Sequence, residues 1–180
     1  MSVKKKIIIL KRLNVKDIGS NYIKWLNNKK IVKYTDQSNT QHTLKSVQKY
    51  VRKINNSKNE FLYGIYELRF SKKFYKTKKF IHVGNIKLRI TNFKKRIGEI
   101  GYLIGNKKNW SKGIGTIAIK QMTILSVKKY KLKKIFATTK SENIGSIKVL
   151  KKNNFKKEKY KNYFQLKKNQ QKQPIYSLKI

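Results

Sequence analysis

Apolar positions along the chain change their spacing from element to element, and that spacing predicts where the backbone is extended and where it is helical. Ile7 to Leu13 reads as a first strand. Ile18, Tyr22, Trp25 and Leu26 then fall at i, i+4, i+7 and i+8, one face of a helix. Leu44, Val47, Val51 and Ile54 repeat the helical spacing, with Thr43 placed to cap the free amides of that first turn. Phe61–Glu67 and Phe80–Ile90 read as strands joined by a basic loop, Arg69–Lys79. In the second of them the apolar phase slips at Gly84 and Asn85, where a bulge would absorb one residue.

Ile97–Ile104 is a further strand, followed by a turn through Gly105 to Lys112. Ile114, Ala118, Met122 and Leu125 share one face of the next helix, Lys134–Thr139 forms a short strand, and a last helix covers Asn143–Asn153. Phe155–Tyr160 and Ile175–Ile180 end the chain as strands, separated by a Lys/Gln-rich loop holding the only proline, Pro174. The order β-α-α-β-β-β-α-β-α-β-β predicts a mixed α/β layer architecture, with helices on a mostly antiparallel sheet. The 180 residues suit one domain, 1–180, with its own core.

Composition narrows the chemistry. Without cysteine there is no thiol nucleophile, disulfide framework or Cys-ligated zinc. His42 and His82 are isolated and read as no metal ligands, so no metal is expected. The apolar run Ile7–Leu10 is far shorter than the ~20 residues that span a bilayer, and a cytoplasmic protein is expected.

The formal charge of +40 reads in two ways. It attracts polyanions such as RNA non-specifically. Yet five of the 47 basic residues are Arg and the rest Lys, in a chain with abundant Asn and Ile and only two alanines. That is the mark of AT-rich codon bias over a whole surface. A dedicated nucleic-acid module concentrates Arg and aromatics on one face.

The segment Trp110-Ser-Lys-Gly-Ile-Gly-Thr116 leaves a strand and opens an amphipathic helix. Its glycines let backbone approach a ligand closely, and free amides at the positive end of a helix dipole suit a diphosphate. Tight strand-to-helix packing explains the same glycines. The segment has neither the length nor the Lys-Ser/Thr ending of a P-loop.

Together with Ile97-Gly-Glu-Ile-Gly-Tyr-Leu-Ile104 and Glu142-Asn-Ile-Gly-Ser-Ile-Lys-Val-Leu-Lys-Lys-Asn-Asn-Phe155, this turn resembles consecutive parts of the GNAT acetyltransferases, closest to the ribosomal-protein-alanine (Rim-type) branch. The resemblance implies the GNAT fold, a twisted sheet with splayed central strands and about four helices, and an acetyl-CoA-dependent N-acetyltransferase. It implies that the amides of Lys112, Gly113, Ile114, Gly115 and Thr116 bind the coenzyme A diphosphate, that Leu103 and Ile104 line the pantetheine arm, and that Asn143 contacts the coenzyme. It also implies Ser146 as the acid for the departing thiolate; Leu150 stands where many members carry a tyrosine acid.

An amine of pKa ~8–10 arrives protonated, so attack needs a base, and Glu99 is the candidate. Glu99 paired with a surface lysine, and Asn143 as a simple helix cap, are the structural alternatives. Trp25, Tyr34, Phe61 and Tyr63 are candidates to wall the acceptor pocket, Trp25 being first a core residue. A small amine such as a nucleotide-linked amino sugar is the favoured acceptor, a protein N-terminus the alternative, and a monomer or homodimer the expected state. From another class, a polyanion-binding module that kept the fold and lost turnover fits the charge.

Overall fold

The computed structural model describes residues 7–70, 78–159 and 165–180. Its centre is a seven-stranded sheet in the order β1-β2-β3-β4-β5-β7-β6. The strands are β1 (Ile7–Arg12), β2 (Glu60–Phe70), β3 (Lys78–Asn92), β4 (Ile97–Ile104), β5 (Lys134–Thr138), β6 (Lys156–Lys157) and β7 (Ile175–Lys179). Every pairing among the described residues is antiparallel except β4 with β5, whose parallel crossover runs through a helix.

Five helices cover the sheet: α1 (Ser20–Leu26), α2 (Lys29–Val32), α3 (Leu44–Asn55), α4 (Ile114–Lys128) and α5 (Ile144–Lys152). The period-two alternation of β3 sends Ile86, Leu88 and Ile90 to one face, where they meet Ile114, Ala118, Ile119 and Met122 of α4 and Leu150 of α5. On the other face Leu62 packs with Tyr22, Trp25 and Leu26 of α1 and Val47, Val51 and Ile54 of α3. Burying each such side chain contributes roughly 1.5–3 kcal/mol. The cap predicted for α3 forms: Thr43 Oγ1 accepts from the Ser46 amide at 3.1 Å.

Four expectations shift. The bulge lies at Val83, skipped between the pairs Ile65–Gly84 and Tyr66–His82, one residue before the predicted slip. Gly84 stays in the ladder because β4 runs against it; a Cβ there would stand 2.3 Å from the Leu103 carbonyl oxygen. The strand expected over Phe155–Tyr160 shrinks to Lys156–Lys157, both exposed at the edge of the sheet; Tyr160 lies outside the described residues. Most of the basic Arg69–Lys79 loop lies outside them too, and its two ends extend β2 and β3. The four-residue α2 was not predicted: it has one buried residue, Val32, and therefore no periodicity to read.

Gly105, just after β4, lies beneath the Trp25 indole, and a Cβ would come within 1.9 Å of Trp25 Cδ2. Gly105→Ala is expected to cost about 1–3 kcal/mol by overpacking, lowering Tm by several degrees in thermal unfolding. An unchanged Tm would mean that the indole is free to move aside.

Candidate active site

β4 and β5 pair only over Ile97–Glu99 with Lys134–Phe136. From Ile100 onward β3 is the only strand β4 pairs with among the described residues, the Ile104 carbonyl accepting in addition from Trp110 Nε1 at 2.9 Å, while Ala137 and Thr138 of β5 pair with β7. The two strands therefore separate just past Glu99, leaving backbone groups of β4 open along that edge. A cleft of about 510 Å3 occupies the α1/α3 face here, and Glu99, Ile100, Gly101, Tyr102 and Leu103 line it from β4.

Its floor is a polar row made by the same alternation that built the core on the opposite face. Asn85, Lys87 and Arg89 of β3 stand directly across from Leu103, Gly101 and Glu99 of β4. Gly101 leaves the floor open, since a Cβ there would meet nothing within 4 Å. Arg89 grips Glu99 with Nε at 2.9 Å and Nη2 at 2.7 Å from Oε2, and Gln170 Nε2 donates to Oε1. Lys87 pairs with Glu60 Oε1 at 2.8 Å and reaches the Tyr50 hydroxyl at 3.4 Å. Burial works against the Lys87 ammonium, but Tyr50 and Glu60 outweigh it and its pKa is raised.

Asn85 is buried, faces His82 Nε2 through Oδ1 at 3.0 Å, and its Nδ2 has no partner among the described residues. His82 is enclosed by the rings of Tyr22, Trp25 and Tyr66. Burial lowers its pKa against the opposing pull of Asn85, Gly84 and Asp17, favouring neutral imidazole.

Across the gap stands the start of α5. Asn143 is its N-cap, with Oδ1 accepting from the Ser146 amide at 3.2 Å, so the capping alternative is realised while the side chain also lines the cleft. Ser146 lines the cleft beside it, near the Tyr102 hydroxyl. Burial raises the Tyr102 pKa, partly offset by Ser146, and the phenol stays protonated near neutrality. The Tyr102 ring lies against Gly115, where a Cβ would be 3.0 Å from Cε2.

Tyr102 thereby joins the cleft to the glycine turn, which stands outside the cleft lining. Gly113 is the N-cap of α4 at φ +76°, with no side chain to cap the helix and no acidic residue in the first turn. The first amides of α4 have no intrahelical acceptor, and the space beside Gly113 is open. This arrangement fits a diphosphate.

Of the residues singled out in the sequence, Glu99, Leu103, Asn143 and Ser146 meet in one cleft, and 112–116 form the adjoining turn. Ile104 points its side chain to the opposite face, against the α4 core. Tyr34 lines the cleft, whereas Phe61 and Tyr63 face α4: Phe61 packs on Tyr130 at 4.3 Å between ring centres and Tyr63 bonds its hydroxyl at 2.7 Å. Trp25 is buried in the core.

Arg89, Gln170 and Tyr102 were not picked out in the sequence. Arg89 carried a signal, an arginine mid-strand in a chain with only five arginines among its 47 basic residues, where the guanidinium fork can put two N–H groups on a carboxylate. Gln170 carried none, being one of several glutamines in a polar loop.

A strand edge that parts from its neighbour lines the cleft, and an uncapped, glycine-headed helix adjoins it. The chain belongs to the acetyltransferase (GNAT) domain family, whose model matches residues 8–156, and is an acetyltransferase. Among solved structures it is similar to the aminoglycoside acetyltransferase AAC(6')-Ib in complex with coenzyme A, at 16% identity and TM-score 0.72 over 96% of this chain and 95% of that one. It is similar to the spermidine N-acetyltransferase from Vibrio cholerae bound to CoA and spermine, at 17% and 0.69 over 96% and 94%. It is likewise similar to Mycobacterium smegmatis RimJ in complex with CoA-disulfide, at 17% and 0.73 over 96% and 81%. No curated protein sequence matches the chain significantly. Among the described residues no helix is long and apolar enough to cross a membrane.

Proposed function

We propose that this chain is a Rim-type N-acetyltransferase of one catalytic domain, 1–180, which moves the acetyl group of acetyl-CoA directly to a primary amine on a small polyhydroxylated acceptor, an amino sugar free or carried on a nucleotide. The observation that carries this reading is the cleft: one carboxylate at the point where β4 and β5 part, hydroxyls opposite, and a diphosphate cradle next to it. The amides of Lys112–Thr116 hold the diphosphate, the edge of β4 past Glu99 takes the pantetheine arm, which Leu103 and Ile104 line, and Asn143 contacts the coenzyme.

Glu99 removes a proton from the acceptor ammonium, directly or through a water. The freed nitrogen attacks the thioester carbonyl carbon and a β4 amide N–H stabilises the oxyanion; as the C–S bond breaks Ser146 gives the thiolate its proton and is reprotonated, through water, by the second proton that the now cationic nitrogen loses on becoming the amide. Gln170 takes one acceptor position on Glu99 Oε1, and a carboxylate oxygen has two, so one remains for the amine.

The acceptor class rests on the lining. Tyr34, Thr35, Gln37, Thr40, Gln41 and Thr138 present hydroxyls and amides suited to sugar hydroxyls. The carboxylates that face the cleft, Asp36 and Glu99, are each matched by a cation, Lys167 at 3.7 Å and Arg89 at 2.7 Å. A polyamine calls for unmatched acids.

The test measures thiol release from acetyl-CoA with amino sugars, amino-sugar nucleotides, spermidine and peptides with free N-termini. Amino sugars are expected to exceed spermidine in kcat/KM by at least ~10-fold; preference for peptides would move the acceptor to a protein N-terminus. Ser146→Ala is expected to lower kcat by at least ~10-fold, the low side of acid–base contributions because water can substitute, with acetyl-CoA affinity unchanged. Undiminished kcat would remove Ser146 from the chemistry.

A further inference from the structure

The polar segment between β6 and β7 carries one residue that its surroundings do not predict. Gln170 ends the 3-10 turn Lys168–Gln170 and is 7% exposed, although its neighbours in the loop are exposed lysines and amides. A buried amide must have its donor and acceptor satisfied, and both are used. Oε1 accepts from the Lys167 amide at 2.9 Å, holding the turn, and Nε2 donates to Glu99 Oε1.

Other bonds hold the same segment over the cleft. Arg89 Nη2 reaches the Gln165 carbonyl at 3.2 Å. Asn169 Nδ2 donates to Asp36 Oδ1 at 2.6 Å, on the loop between α2 and α3 that forms the opposite wall. The segment thus spans the acceptor half of the cleft, with Gln170 on its inner side.

We infer that Gln170 is a positioning residue for Glu99. The inference rests on the reading of Glu99 as the base. Arg89 fixes one carboxylate oxygen and Gln170 the other, so the carboxylate plane cannot rotate, and the acceptor site still open on Oε1 is held toward the cleft. Charge-assisted bonds of this type are the strong ones, and a base held by two of them needs no reorientation when the ammonium arrives.

Gln170→Met keeps the length of the side chain and removes both bonds. Gln170→Glu keeps the acceptor for the Lys167 amide and replaces the donor to Glu99 with a like charge. Each is assayed for kcat, for acceptor KM and for acetyl-CoA affinity by calorimetry, in the native background and with Glu99→Gln. Both are expected to lower kcat by about 10-fold, with acetyl-CoA affinity unchanged and no further loss once Glu99 is Gln, because the effect travels through the carboxylate. Wild-type kcat in both variants would overturn the inference. So would an equal loss in the two backgrounds, or a rise in acceptor KM alone, which would make the segment only a wall of the pocket. A Glu99→Gln enzyme with wild-type kcat would fail one step earlier, removing the base itself and this inference with it.

Discussion

Gly113→Glu is expected to weaken acetyl-CoA binding by at least about 100-fold. Gly113 sits at φ +76°, a conformation that costs an L-residue roughly 1–2 kcal/mol. Space is not the obstacle, because a Cβ would meet nothing within 4 Å. The new carboxylate would reach the free amides of α4 and take the place of the diphosphate. Each charge-assisted bond is worth about 1.5–3 kcal/mol, so losing even two of them gives a factor of ~100 or more. Gly113→Ala, which carries strain without charge, should lose much less. Calorimetric titration at moderate and high salt checks this: saturable binding that survives salt and vanishes in the Glu variant supports the cradle. Binding that fades with salt equally in all three proteins would leave general polyanion attraction by a chain of net charge +40.

Glu99→Gln is expected to lower kcat by ~10²-fold with acetyl-CoA affinity nearly intact, the size of a lost general base. It also has a stability consequence that separates it from a pure active-site change. Glu99 and Arg89 are 11% and 19% exposed at their side chains, so neutralising one leaves the other charge poorly solvated in the cleft floor. A fall in Tm should accompany the fall in rate. Turnover at the wild-type level with a lowered Tm would identify the pair as structural only, and the proton would then leave through water.

The structural alternative weighed for Glu99 was pairing with a lysine, and the partner is instead Arg89. Sequence distance hid it: the two are ten residues apart on strands whose register places them face to face only after the chain has turned at 93–96. Once that register is fixed, the alternation that buries Ile86, Leu88 and Ile90 under α4 necessarily presents Asn85, Lys87 and Arg89 to the cleft. Phe61 and Tyr63 show the converse. Their aromatic character suggested a pocket wall, but as members of β2 they are packed on and bonded to Tyr130 on the α4 side.

By itself the sequence determined what depends on local spacing. The helical face of α3 and its Thr43 cap, the long strands β2 to β4, and the glycine-headed start of α4 all follow from interactions within a few residues. The Asn143 cap three residues before Ser146 is legible for the same reason. Tertiary structure decided everything that joins distant segments. The parting of β4 and β5 after three paired positions makes the cleft, and no periodicity records where a parallel pairing stops. Tyr102 lies against Gly115 only because α4 packs back on the sheet beside β4. Gln170, 71 residues from Glu99, meets it because β7 must return beside β5 and carries the preceding turn across the open end of the sheet. Side-chain hydrogen bonds of that range leave no pattern along a chain, since their strength depends on burial and geometry that exist only after the layers have packed.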